Sequence, residues 1–149
     1  MWSTEYSTET DLPPEAIWAS MRALRTGAIP SANGDRFELQ GPFAPGSIIL
    51  STPEGLGVTL ESRITEAVEN ETYADETQFN DLILENRYHL TRSDRKSTRV
   101  THGLIITGPG AADTGPTAGP RIAKDYPEAM DELIDVARRN FSPRPSGSR

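Results

Sequence analysis

Three polar side chains, Asn86, Tyr88 and His102, interrupt otherwise apolar strand faces and are the residues best suited to chemistry. In residues 82–90 the even positions place Asn86 and Tyr88 among leucines, and in residues 98–107 His102 alternates with apolar residues in the same way. A histidine near its reference pKa can donate or accept a proton, so His102, assisted by Tyr88, is a candidate acid–base residue. The alternative is a buried histidine satisfied by Tyr88 or by a backbone group.

The composition excludes several other kinds of site. The chain has 149 residues, no cysteine and two histidines, which removes disulfides, thiol nucleophiles and cysteine-based metal centres. The second histidine, His89, is expected on the outward, solvated face of its strand. The glycines that follow Thr107 lack the lysine and the spacing of phosphate-binding loops. We therefore predict no metal site and no cofactor.

The charge balance bears on possible partners. A formal net charge of −7 leaves no clustered cations for phosphates, so a nucleic-acid partner is excluded. The acidic stretch 66–76, which includes Asp75, lacks the spacing of a calcium loop and is expected to be a solvated turn. The longest apolar runs fall far short of the ~20 residues that span a bilayer, and no secretory signal precedes them. We expect a cytoplasmic protein that is a monomer or a homodimer.

Hydrophobic periodicity predicts the elements that must position these residues. Residues 2–10 alternate as a half-buried strand, and a helix is expected to start within 11–15 and to end before Gly27. A run of period-two segments with turn residues between them then predicts an antiparallel sheet. Its strands are expected near residues 36–41, 46–52, 56–68, 72–79, 82–92 and 97–108.

The strand faces predict how the last hairpin pairs. The turn 93–97 must bring the two even-numbered faces together, because a slip of one residue would move one of them to the other side of the sheet. The matching pairs are Leu90 with Val100, Tyr88 with His102, and Asn86 with Leu104. In residues 56–68 the even positions, Leu56, Val58, Leu60 and Ile64, are expected to face inward. Residues 72–79 are too polar for an inward face to be assigned.

The C-terminal part is predicted to contain one long amphipathic helix. Residues 108–120 are rich in Gly, Ala, Thr and Pro and are expected to be non-helical, and the helix covers about 121–141. Pro127 predicts either a kink or a fresh helix start. The Pro/Ser/Gly-rich residues 142–149 are expected to be a disordered tail. The apolar stripe of the helix comprises Ile122, Tyr126, Met130, Leu133, Ala137 and Phe141.

This order of elements resembles a known superfamily. The segments Leu12–Trp18 (LPPEAIW) and Ser97–Pro109 (STRVTHGLIITGP), together with the final helix, are similar to the START/Bet v 1-like (SRPBCC) superfamily and to its bacterial polyketide cyclase/dehydrase-like branch. The resemblance implies an α+β helix-grip fold, in which a curved antiparallel sheet of about seven strands wraps a long C-terminal helix, within a single domain of residues 1–141. Residues 29–34 lack the aromatic side chain that many members carry there, so a second short helix is left open.

The resemblance also implies a cavity between the sheet and the C-terminal helix. We expect it to bind a hydrophobic or amphipathic small molecule, with apolar walls for affinity and polar groups for orientation. One alternative is a polyketide cyclase, aromatase or dehydratase that uses His102 and Tyr88. Another is an interaction or stress-response module whose pocket is vestigial. The candidate ligand-binding residues are Val58, Leu60, Leu84, Asn86, Tyr88, His102, Leu104, Ile106, Met130, Leu133 and Ile134.

Overall fold

A computed structural model describes residues 1–55, 57–93 and 97–141 of the chain. Leu56, the centre of the predicted turn at 94–96 and the predicted tail 142–149 lie outside these residues. The elements, in chain order, are β1 (Trp2–Thr10), α1 (Pro14–Arg25), β2 (Arg36–Gln40), β3 (Ile48–Thr52), β4 (Leu60–Val68), β5 (Thr72–Phe79), β6 (Leu82–Arg92), β7 (Thr98–Thr107), α2 (Ala111–Ala123) and α3 (Tyr126–Asn140).

The strands form one antiparallel sheet, against which the helices pack. The strand order is β1-β7-β6-β5-β4-β3-β2, so the chain's first strand pairs with its last. Helix α2 packs on β1 and β7, whereas α1 and α3 pack on each other. The hydroxyl of Ser20 donates to the backbone carbonyl of Leu133 over 2.7 Å and ties α1 to α3. This is the α+β helix-grip arrangement that the sequence predicted.

The predicted pairing of the last hairpin is confirmed. Leu90 lies opposite Val100, Tyr88 opposite His102, and Asn86 opposite Leu104. The register also settles β5, whose inward face the sequence left open. Its odd-numbered residues pair with the inward residues of β6: Tyr73 with Tyr88, Asp75 with Asn86, and Thr77 with Leu84.

The start of β4 differs from the prediction. The strand begins at Leu60 rather than at residue 56, and Val58 is 48% exposed instead of facing inward. Gly55 and Gly57 have φ angles of 80° and 67°, a left-handed conformation that does not continue a strand. The inward face expected for the second half of this segment is present at Ile64, which is fully buried.

Helix α2 includes residues 111–120, where the sequence predicted an irregular segment. Gly115 and Gly119 lie against Trp2, and a Cβ atom at Gly119 would stand 2.2 Å from the indole ring. The glycines therefore allow the close approach of helix and strand that covers the ring, and this packing outweighs their low helix propensity. The helical path breaks after Lys124, and Pro127 lies in the first turn of α3. Of the two alternatives predicted at Pro127, a kink and a fresh helix start, the structure shows the fresh start, so the helix predicted over 121–141 is interrupted between Ala123 and Tyr126.

The segment between α1 and β2, residues 26–35, contains turns and no helix. Gly27 adopts a φ angle of 80°, and a Cβ atom there would meet the carbonyl oxygen of Phe37 at 2.3 Å. A short second helix is therefore absent from this described stretch. In its place an irregular loop leads from the end of α1 to the start of β2.

Candidate functional site

A cavity of about 270 Å³ opens between the sheet and helix α3. Helix α1 and the loop 26–35 form one side, the inward faces of β6 and β7 form the floor, and the first half of α3 forms the other side. Apolar, aromatic, polar and charged side chains all contribute to its surface. The lining residues are Met21, Leu24, Arg25, Ser31, Asn33, Asp35, Phe37, Asn86, Tyr88, His102, Ile122, Asp125, Tyr126, Ala129, Glu132 and Leu133.

A stack of three aromatic rings borders this cavity. The ring centroids of Tyr88 and His102 lie 4.1 Å apart with 13° between their planes, and those of His102 and Tyr126 lie 3.8 Å apart at 14°. The hydroxyl of Tyr126 donates a hydrogen bond of 3.0 Å to Oδ1 of Asn86. The strands therefore supply Asn86, Tyr88 and His102, and α3 supplies the ring that covers them.

The imidazole of His102 is held in its neutral form. The side chain is only 6% exposed, and burial lowers the pKa of His102 to about 3, with the positive charge of Arg25 acting in the same direction. Within the described part of the chain, Nδ1 of His102 has no hydrogen-bond partner. A neutral imidazole offers one donor and one acceptor, so it is suited to orienting a ligand.

The two phenols beside His102 remain protonated. Burial raises the pKa of Tyr88, and it also raises the pKa of Tyr126. Each hydroxyl can therefore donate a hydrogen bond at neutral pH. Tyr126 already donates to Asn86.

A buried ion pair lies behind the cavity and was not predicted. Asp75 is fully buried, and Oδ2 of its carboxylate accepts hydrogen bonds from Nη2 of Arg25 and from the hydroxyl of Tyr73, the latter over 2.6 Å. The guanidinium lies 5.5 Å from the ring centroids of both Phe37 and Tyr73. Burial acts to lower the pKa of Arg25, but the charge of Asp75 and the nearby phenols outweigh it, so the pKa is raised. Arg25 is therefore a fixed cation.

The expectation that Asp75 lies in a solvated turn is wrong. The residue occupies the middle of β5, on the inward face that also carries Tyr73 and Thr77. A carboxylate can be buried there because Arg25 reaches it from α1, 50 positions away in the sequence. The alternation of Tyr73, Asp75 and Thr77 could have indicated that they share one face of β5. No pattern in the sequence identifies Arg25 as the partner of Asp75.

The mouth of the cavity carries carboxylates. Glu132 of α3 accepts hydrogen bonds from the backbone N–H of Ala32 and from the hydroxyl of Ser31, the latter over 3.1 Å. Asp35 accepts from the backbone N–H of Glu54 over 2.9 Å. The first of these contacts anchors the loop 26–35 to α3. Asp125, which precedes Tyr126, is exposed at the same opening.

The structure brings only some of the predicted site residues together. Asn86, Tyr88, His102 and Leu133 line the cavity, and Tyr126, from the predicted helix stripe, joins them. The remaining candidates lie elsewhere. Leu84 borders a second cavity of about 450 Å³ beneath α2, and Leu104, Ile106 and Met130 are buried in the core. Ile134 is half-buried against the core, Leu60 is half-buried away from the site, and Val58 is exposed.

These departures have a common physical reason. The candidates were chosen as members of inward faces, and an inward face includes positions that pack against helices as well as positions that border open space. Leu104 and Ile106 lie under α2 and Tyr126, which fill the space above them. Sequence reasoning missed Arg25, the last residue of α1, and Phe37 of β2, because the irregular loop between these two elements has no pattern from which their positions relative to the cavity could be predicted.

His89 lies where the sequence placed it, exposed on the outward face, and its Nδ1 is 3.1 Å from Oγ1 of Thr72. In the part of the chain that the structure describes, no group of His, Asp or Glu side chains could hold a metal ion. Of the helices in the described ranges, none combines the length and the apolar character needed to cross a membrane.

Comparison of sequences finds no match for this chain, whereas comparison of structures does. No known protein family matches the sequence, and neither does any curated protein. Among solved structures, Ara h 8.0201 superposes with a TM-score of 0.72 at 16% identity, covering 93% of this chain and 99% of that one. Norcoclaurine synthase from Thalictrum flavum, solved in complex with dopamine and hydroxybenzaldehyde, gives a TM-score of 0.68 at 13% identity, covering 95% and 89%.

The di-domain ARO/CYC protein BexL from the BE-7585A biosynthetic pathway gives a TM-score of 0.66 at 13% identity. The alignment covers 97% of this chain and 51% of BexL, so this chain matches about half of the larger protein. At such identities the similarity concerns the fold. The chain shares with these proteins the helix-grip fold that the resemblance predicted.

Proposed function

We propose that this protein, which has the Bet v 1-like fold, binds a small amphipathic organic molecule in the cavity between the sheet and helix α3. The observation that carries the proposal is the cavity itself, about 270 Å³ in volume and lined by both apolar and polar side chains. Binding sites for small molecules combine apolar walls, which supply affinity, with a few polar groups that fix orientation. Leu24, Phe37 and Leu133 supply the former, and Asn86 and His102 supply the latter.

The volume favours a ligand of one or two rings. An apolar protein cavity of about 150 Å³ accepts benzene, and typical ligand pockets begin near 300 Å³. The core around Leu104, Ile106 and Met130 is filled, since these side chains are almost completely buried. A long acyl chain that extended in this direction would have to displace them, whereas a compact aromatic molecule would not.

The protonation states of His102 and Tyr88 favour binding over the acid–base chemistry predicted for these residues. With its pKa lowered to about 3, His102 carries no proton to donate from a cationic form at neutral pH and is a weak base. The pKa of Tyr88 is raised, so its phenol is a donor of hydrogen bonds rather than a base. The cyclase, aromatase or dehydratase alternative would use the same cavity, and it has support from the fold alone.

The open cavity also favours ligand binding over the vestigial-pocket alternative. A module without a ligand would be expected to fill this space with side chains, as the core next to it does.

We further propose, from the sequence, a single domain of residues 1–141 with a disordered tail, located in the cytoplasm as a monomer or homodimer. Sedimentation analysis separates these two oligomeric states.

A cavity-filling substitution tests the proposal. Ala129 lies on the wall formed by α3, so Ala129→Phe places a ring inside the cavity. Ala112 is exposed on α2, and Ala112→Phe adds the same atoms away from the site. A library of one- and two-ring amphipathic compounds is screened by native mass spectrometry against the protein and both variants, with circular dichroism as the control for folding.

The expected result is that compounds bound by the unaltered protein bind Ala112→Phe equally and are lost from Ala129→Phe. Equal binding by the two variants would place the ligand outside this cavity. Absence of binding from the whole library would contradict the proposed function itself.

A further inference from the structure

Three carboxylates, those of Asp35, Asp125 and Glu132, line the cavity, and none forms an ion pair with a cation in the described part of the chain. Asp35 and Glu132 accept hydrogen bonds only from neutral donors, namely backbone N–H groups and the side chains of serine and asparagine. No lysine or arginine among the described residues forms an ion pair with any of the three. Their negative charges therefore act on whatever enters the cavity.

Arg25, the one cation among the described residues that line the cavity, does not balance these charges. Nη2 of its guanidinium is paired with the fully buried Asp75, whereas its buried Nε has no hydrogen-bond partner among the described residues. The charge of Arg25 still acts on His102, but the three carboxylates outnumber this one paired cation and give the opening a net negative potential. A cleft with walls of one sign and of low dielectric constant concentrates the field and attracts ligands of the opposite charge.

His102 gives an independent indication of a polar ligand. The residue is 6% exposed, it lines the cavity, and its Nδ1 has no hydrogen-bond partner in the described part of the chain. Buried polar atoms are rarely left unpaired, so an unpaired one beside a cavity points to a group supplied by a ligand. Because the imidazole is neutral, it can accept a hydrogen bond from an N–H or O–H group without repelling a cation.

We infer that the ligand is a cationic amphiphile, a one- or two-ring molecule with a protonated amine whose ammonium group lies among Asp35, Asp125 and Glu132. The inference rests on the proposed function and adds the chemical class of the ligand to it. The ring system packs on Leu24, Phe37 and Leu133, which face the same space. The ammonium replaces part of its hydration with carboxylate oxygens at the opening, where the remaining water can still reach it.

Three probes of similar size and different charge test the inference. 2-Phenylethylamine is cationic at neutral pH, 2-phenylethanol is neutral, and 3-phenylpropanoate is anionic. Dissociation constants are measured by ¹⁵N-resolved NMR titration at low ionic strength. The amine is expected to bind at least about fivefold more tightly than the alcohol, the carboxylate is expected to bind most weakly, and the preference should decline as salt is added.

The matched variants are the double substitution Asp125→Asn, Glu132→Gln and the control Glu128→Gln, an exposed position on α3 that does not line the cavity. The double variant should lose the preference for the amine while it retains the affinity for the alcohol, and the control should keep both. Alcohol or carboxylate binding as tight as that of the amine would overturn the inference and leave the proposed function standing. If none of the three probes shifts cavity resonances, the inference is overturned, and the library screen decides the proposed function.

Discussion

Tyr88 and His102 face each other across β6 and β7 as directly opposed residues, with their rings stacked at a centroid distance of 4.1 Å. The same register places Asn86 two positions along β6, where it accepts the hydrogen bond of Tyr126. The pairing of one hairpin thus determines which polar groups reach the cavity. The pairing also places the imidazole against the ring of Tyr88, and Tyr126 of α3 covers its other face, where water has little access.

The first prediction concerns the pH dependence of stability. The pKa of His102 is about 3 in the folded protein, against a usual value of 6.5. Between these values the unfolded chain binds a proton that the folded protein does not, so the free energy of unfolding falls as the pH is lowered through this range. His102→Phe keeps a stacked ring and removes the titration. Relative to the unaltered protein, the variant should gain about 2 kcal/mol between pH 7 and pH 4.5.

Urea unfolding at the two pH values measures this gain, and the difference between the proteins cancels the contribution of the carboxylates. NMR of the imidazole gives a direct check, since the His102 signals should not titrate above pH 4. A constant difference in stability across this pH range would show that His102 titrates alike in the folded and unfolded states.

The second prediction concerns the buried ion pair. Asp75→Ala leaves the charge of Arg25 without its partner and removes the acceptor of the Tyr73 hydroxyl, so a loss of about 3–5 kcal/mol in the free energy of unfolding is expected. The double variant Arg25→Met, Asp75→Leu should recover most of that loss, because no unpaired charge remains. A double-substitution cycle measured by urea unfolding gives the coupling.

The exposed pair between Arg138 and Asp11 is the matched control, and Asp11→Ala should have a much smaller effect than Asp75→Ala. Equal effects at the two positions would mean that burial does not strengthen the dependence of Arg25 on its partner.

The third prediction concerns the hydrogen bond that fixes Tyr126 over the cavity. Tyr126→Phe keeps the ring that stacks on His102 and deletes the donor to Asn86, so a loss of about 1 kcal/mol in the free energy of unfolding is expected. Adding Asn86→Leu removes the unpaired acceptor as well, and the double variant should be no less stable than Tyr126→Phe. A fully stable Tyr126→Phe protein would show that packing alone holds the ring.

The sequence predicted most accurately where one face of a strand is apolar and the other polar. The alternation in β6 and β7, together with the length of the turn 93–97, was sufficient to pair Tyr88 with His102, because a slip of one residue would expose one of the two apolar faces. The position of His89 on the outer face follows from the same alternation. The polar members of the site were therefore accessible from the sequence, through the strands that carry them.

The charged members were not accessible, because their burial depends on partners that are distant in the sequence. In the sequence Asp75 cannot be distinguished from the acidic residues around it, and only the structure shows that Arg25 of α1 pairs with it. The loop 26–35 has no periodicity, so the placement of Phe37 and Asp35 at the cavity could not be predicted. Local pattern identifies a face, and only the packed structure shows which part of that face remains open.

The last prediction tests why α2 forms despite its composition. Gly→Ala within a helix ordinarily raises stability by up to about 1 kcal/mol, since alanine has the higher helix propensity. At Gly119 the sign should reverse, because the added Cβ atom would stand 2.2 Å from the ring of Trp2 and force the helix away from β1, at a cost of about 1–3 kcal/mol. The exposed Thr117→Ala should show the ordinary behaviour.

Trp2→Leu makes room for the added atom, so Gly119→Ala should cost less in the Trp2→Leu background than in the unaltered protein. Thermal unfolding of the four proteins, followed by circular dichroism, gives this interaction term. A Gly119→Ala protein more stable than the unaltered one would mean that propensity, rather than contact with Trp2, limits the helix. The expected result would show that tertiary packing keeps α2 helical, although its sequence alone predicts an irregular segment.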